Sequence, residues 1–253
     1  MNTVQIGWGL AAVLAVMTAA TALLVGRSGL GPGRDVLVAA VRAVLQLGAV
    51  SLVIGFVLQS SGWTAAFLAF MVLVAAGTSA RRIAGSLQPR GWLTAVAVLA
   101  GLVPTLGLVL LSGVIPARPI AVLPTAGILI GGAMTATTLA GRRASEELTD
   151  QRGAYEAALS LGLTRRDAVH VLARPAAALA LVPGRDQTRT VGLVTLPGAF
   201  VGVLLAGAPP LQAGAAQVLV LVSLMLTQTI STIVTVELVA TGALQLRGGP
   251  LPE

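Results

Sequence analysis

Seven apolar stretches, each long enough to cross a bilayer, run through this sequence at about 4–25, 36–58, 63–80, 92–115, 120–140, 191–208 and 215–240. A crossing helix needs roughly 20 mainly apolar residues. Inside hydrocarbon, only elements that satisfy their own backbone hydrogen bonds persist. The expected fold is therefore all-α: a polytopic membrane helix bundle of about seven transmembrane helices, forming one domain over residues 1–253. Composition agrees, with 56% hydrophobic and only 10% charged residues and a mean hydropathy of +0.92, far from the balance of a globular domain.

The arginines orient the expected bundle. Arg27 and Arg34 fall in the first loop, Arg81, Arg82 and Arg90 in the third, eight more in the fifth and Arg247 in the tail, whereas the opposite side carries only Arg118. The positive-inside rule then sets the N-terminus outside and the C-terminus in the cytoplasm of a cytoplasmic (inner) membrane. The uncharged start Met1, Asn2, Thr3 lacks the positive region of a cleavable signal, so the first stretch reads as an uncleaved span. Small residues such as Gly127, Gly131, Gly132, Ala133 and Thr135 suit closely packed helices. Pro104, Pro124 and Pro197 fall within expected spans, where each removes a backbone hydrogen bond.

Fourteen of the twenty-five charged side chains are concentrated between Gly141 and Thr190. From Arg142 the helical pattern continues past the membrane surface, with Arg142/Glu146 and Arg143/Glu147 at i,i+4 spacing, to a break at Gly153. A short amphipathic helix follows, with Tyr155, Ala158 and Leu159 on one face and Gly162 suited to a left-handed C-terminal cap. Thr164 and Asp167 form a T-x-x-D start for the next helix, which Pro175 limits or kinks. Such a helix–glycine–helix has three readings. It is a structured loop without a partner, a DNA-binding helix-turn-helix, or a coupling helix seated in a cytoplasmic ATPase. Apolar spans on both sides argue against DNA, and the small apolar knob with compact turns and polar flanks favours coupling.

Residue usage removes other functions. No cysteine is present, which excludes thiolate metal ligands and disulfides. All sixteen basic residues are arginine, and without lysine there is no Walker A loop and no Schiff-base chemistry.

The spacing Glu156-Ala157-Ala158, then Gly162, then Pro175 resembles the EAA loop by which ABC-transporter permeases dock onto their ATPase subunits. Over nearly its whole length the chain resembles the FetB-type iron-export ABC permease family. The likeness rests on Gly132–Ala136 (GAMTA), Ala157–Gly162 (AALSLG), Ala180–Pro183 (ALVP), Thr190–Gly198 (TVGLVTLPG) and Gln217. It departs from the family pattern at Gly132, where asparagine is usual, and at Ala199, where methionine is usual. The resemblance implies a permease homodimer with no catalytic site of its own. A FetA-like cytoplasmic ABC ATPase would bind the ATP and Mg, and iron or another metal ion, or its complex, would be exported. Coupling residues under this reading are Tyr155, Glu156, Ala157, Ala158, Leu161, Gly162 and Pro175. An importer permease fed by an external binding protein, and a secondary transporter driven by ion gradients, remain as alternatives.

Polar side chains within spans mark a candidate substrate pathway: Gln46, Met134, Thr135, Met225 and Gln228. Most intramembrane threonines and serines read as hydrogen-bonded to their own helices. Arg42 and Glu237 lie at similar depth and form a possible intramembrane pair, with a structural role favoured over contact with cargo. A metal site is hard to assemble from these residues, and its ligands stay unknown at this level. His170, the only histidine, falls in the loop, and Met17, Met71, Met134 and Met225 read as packing.

Overall fold

The break-up of the chain into helices follows its glycines and prolines. A computed structural model describes residues 7–85 and 90–244, so Met1, Asn2, Thr3 and Arg247 lie outside the described residues. The helices are α1 (Trp8–Arg27), α2 (Gly33–Val57), α3 (Ser61–Ala84), α4 (Leu93–Leu111), α5 (Pro119–Asp150), α6 (Arg152–Ser160), α7 (Arg165–Ala177), α8 (Val182–Thr190), α9 (Gly198–Leu205) and α10 (Pro210–Ala240), with a 3-10 turn at Ala178–Leu181. The all-helical membrane bundle expected from the sequence is thus observed. Six helices, α1 to α5 and α10, are long and apolar enough to cross a membrane.

Seven spans were expected, and the sixth, 191–208, is not a single helix. Thr190 to Thr195 folds into a turn in which the amides of Leu193 and Val194 donate to the Thr190 carbonyl and that of Gly192 to Thr195. Gly192 has φ +82°, a region that costs a side-chain-bearing residue roughly 1–2 kcal/mol. Pro197 then stands as the N-cap of α9, only eight residues long, or about 12 Å at 1.5 Å per residue. Averaged hydropathy conceals this break because the turn residues are themselves apolar. Pro197 therefore lies at a helix start, whereas Pro104 and Pro124 sit inside α4 and α5 as expected.

The chain forms two compact units, Met1–Gln59 and Ser60–Glu253. The first is the α1–α2 hairpin, whose helices approach so closely that a methyl at Gly33 would overlap the Ala22 carbonyl. Neither helix buries much of its apolar surface, and Val57 alone is buried in them.

In the second unit α3, α4, α5 and α10 pack side by side. Glycine allows backbone approach where it is closest: a methyl at Gly101 of α4 would collide with the Ser231 hydroxyl and the Thr227 carbonyl of α10. Hydroxyls pin α3 to its neighbours. Thr94 donates to the Ala76 carbonyl at 2.8 Å, Thr138 to the Ser79 hydroxyl at 3.1 Å, and Ser79 to the Met134 carbonyl at 3.2 Å. One apolar cluster (Val72, Val98, Leu102, Leu129, Ile130) fills the middle of these helices. A second gathers Ile83, Ala140, Leu148, Tyr155, Val169, Ala173 and Val239, uniting the ends of α3, α5 and α10 with α6 and α7.

Candidate functional site

The polar segment after α5 is an ordered pair of short helices. Solvated ion pairs support the end of α5, Arg142–Glu146 at 3.6 Å and Arg143–Glu146 at 3.2 Å. Arg143 therefore meets Glu146, at i,i+3, rather than the expected Glu147, which bonds Gln151. The break falls at Gln151, and Gly153 sits inside α6. The helix α6 ends in a Schellman arrangement: the Leu163 amide donates to Ala158 at 3.1 Å and the Gly162 amide to Leu159 at 2.9 Å, with Gly162 at φ +91°. Thr164 caps α7 by accepting from the Asp167 amide at 3.2 Å, replacing a bond that the first turn lacks.

Packing divides this hairpin into an inner and an outer side. Tyr155 is fully buried, and Ala158 and Leu159 pack beside it. Glu156, Ala157, Leu161 and Gly162 form the outer side, with Leu161 83% exposed. Tyr155, proposed from sequence as a coupling residue, is thus packed into the bundle. Pro175 sits exposed near the end of α7, which continues to Ala177.

The hairpin is fastened to α10 at Glu237. Its two oxygens are taken by Arg166 at 2.6 Å and His170 at 3.0 Å, and the bonded carboxylate holds the Arg166 guanidinium above its ordinary pKa. Within its own unit Glu237 is therefore already partnered, without Arg42. This junction was not among the contacts expected from sequence. Its signal was present: Arg166, His170 and Arg174 recur every fourth residue, one face of α7. With Asp167, Thr232, Ile233 and Val236 they line a cavity of about 640 Å³.

From Arg165 onward the chain runs antiparallel to α10 along its whole length. Arg165 lies against Gly242, where an added methyl would meet the guanidinium at 3.0 Å. Arg166 and His170 hold Glu237. Gly184 of α8 abuts Gln228, whose side-chain oxygen a methyl there would strike. The Phe200 amide of α9 donates to Gln217 Oε1 at 3.2 Å. Residue numbers rise on one strand of this pairing as they fall on the other. The stretch alongside α10 is thus made of α7, the 3-10 turn, α8, the Thr190–Thr195 turn and α9 in series.

Of the expected pathway residues, Gln228 is 8% exposed and lies against Gly184 of α8. Met134 is half-buried against the mid-bundle apolar cluster, Thr135 is exposed and bonded to the Gly131 carbonyl at 2.9 Å, and Met225 is half-buried. Gln46 and Arg42 belong to the α1–α2 unit, where both are exposed and line a shallow apolar groove of α2. Among the described residues no three His, Cys, Asp or Glu side chains gather as metal ligands.

Comparison with known proteins bears on what this arrangement serves. The chain is 40% identical over 231 residues to the UPF0014 membrane protein STAR2 of Oryza sativa subsp. japonica, covering 86% of this chain and 78% of that protein. It is 36% identical over 198 residues to Protein ALUMINUM SENSITIVE 3 of Arabidopsis thaliana, covering 76% and 71%. It is 31% identical over 229 residues to the probable iron export permease protein FetB of Escherichia coli, covering 87% and 86%. No solved structure matches it. The pattern of the uncharacterised protein family UPF0014 extends over residues 8–243, and the chain belongs to that family.

Proposed function

We propose that this protein is the permease subunit of an ABC transporter that exports iron or another metal ion, or its complex, from the cytoplasm. A separate FetA-like ATPase binds ATP and Mg, the N-terminus lies outside and the C-terminus inside, and two copies pair around the pathway. The observation that carries this reading is the α6–α7 hairpin. It exposes a small apolar tip at Ala157, Leu161 and Gly162 while its opposite side is built into the ends of α5 and α10. A partner moving the tip would therefore move the bundle, which is what transmission of an ATPase stroke requires. The naming of one relative as a probable iron export permease supports the cargo and direction.

Co-purification with a FetA-like ATPase, followed by hydrolysis assays with and without iron, tests the proposal. A stable complex stimulated by iron is the expected outcome. Leu161→Asp and Gly162→Val should each release the ATPase while the permease remains folded in the membrane. A complex indifferent to both substitutions would remove the hairpin from the interface, and absence of any complex would remove the ATPase.

A further inference from the structure

The most polar helix of the second unit, α8, lies beside the middle of α10. Gly184 abuts Gln228, and Arg185 follows at one Cα–Cα step, about 3.8 Å. Gln228 stands eleven residues from Gln217 and nine from Glu237, roughly 16 Å and 14 Å along the helix. Two other helices give the same level: Leu224, one turn before Gln228, packs on Gly132 in mid-α5, and the neighbouring Thr227 and Ser231 meet Gly101 in mid-α4. From Pro210 to Val236 α10 carries no charged residue. Yet Arg185, Asp186, Gln187 and Arg189 of α8 are all exposed.

Their charges do not cancel. Arg189 lies 3.7 Å from Asp186, and among the described residues Arg185 forms no ion pair, which leaves one net positive charge on the face. Charged groups midway through a bilayer face water or a partner, because exposure to hydrocarbon is costly. We propose that α8 lines a water-filled section of the transport pathway and that its free arginine selects anionic, oxygen-rich solutes. Resting on the reading of this chain as a transport subunit, the cargo is then a metal enclosed in an anionic carboxylate or phosphate complex rather than a bare cation, which Arg185 would repel.

The sequence has no cysteine, so Gln187→Cys introduces a single thiol beside Arg185 without altering any charge. In native membranes this thiol is treated with methanethiosulfonate reagents bearing a sulfonate or a trimethylammonium group. Rates are normalised to a free thiol. A unit charge about 7 Å away in water changes the local concentration of a charged reagent about threefold. Both reagents should react, the anionic one favoured, and Arg185→Gln should remove the preference whereas Arg185→Lys retains it. Ferric citrate should slow labelling. Failure of both reagents to react, a preference for the cation, a preference unmoved by Arg185→Gln, or labelling indifferent to ferric citrate would each overturn the inference. The assay needs no ATPase, so its failure beside a stable ATPase complex would leave the proposed function standing.

Discussion

Two regions of the second unit cover the same distance in opposite directions and by different means. α10 does so as one helix of 31 residues, whose interior backbone groups pair within the helix. Its companion, from Arg165 to Leu205, is divided into three helices, a 3-10 turn and a glycine–proline turn. Continuity makes α10 the spine against which α4, α5 and α7 pack. Discontinuity gives the companion charged residues and interruptions of the helix, features that transporters use in broken helices at their binding sites. One stretch thus supplies the continuous packing surface and its neighbour the irregular, charged one.

Substitutions that erase this contrast should have graded effects. The largest is expected from Gly101→Val, whose side chain would run into the α10 backbone and the Ser231 hydroxyl. Because backbone cannot yield as a side chain tip does, the loss should reach the upper end of the roughly 1–3 kcal/mol typical of overpacking. Monodisperse protein after detergent extraction should largely disappear, while Gly107→Val on the same helix, with open space around it, should purify normally.

Next in size is the triple change Gly192→Ala, Pro197→Ala and Gly198→Ala, which removes the helix breakers from the companion. It should leave extraction intact and reduce cargo-stimulated ATP hydrolysis by about tenfold or more, a barrier change of roughly 1.4 kcal/mol. Unchanged stimulation would show that the break carries no function. Glu237→Gln should have a smaller effect, faster amide exchange in α7, because it weakens the bonds of Arg166 and His170 to α10. A like change in α9 would count against the local role of this junction. Smallest is Thr164→Ala, which removes a helix cap worth about 1 kcal/mol. It should raise exchange only in the first turn of α7.

Local signals were legible in the sequence wherever short-range physics decides. The six long helices follow from apolar length, and the Thr164 cap and left-handed Gly162 follow from residue chemistry within one turn. The companion was not legible, because Val191 to Leu205 has the average hydropathy of a span and only the positions of Gly192, Pro197 and Gly198 reveal the interruption. The depth of α8 was hidden for the opposite reason. Arg185, Asp186 and Arg189 read as loop, and their place beside Gln228 follows from a tertiary contact through Gly184 that leaves no periodic trace. Glu237 likewise found partners seventy-one and sixty-seven residues away, beyond any spacing rule.

The Phe200–Gln217 hydrogen bond also constrains how the protein is made. The companion leaves the ribosome before α10 exists, yet α9, eight residues long, is too short to cross the bilayer alone. It must therefore wait, held at the insertion machinery or the interface, until α10 supplies Gln217 and a packing surface. Insertion of the two as a single late hairpin follows, and a nascent chain truncated at Pro209 should leave residues 191–208 untranslocated.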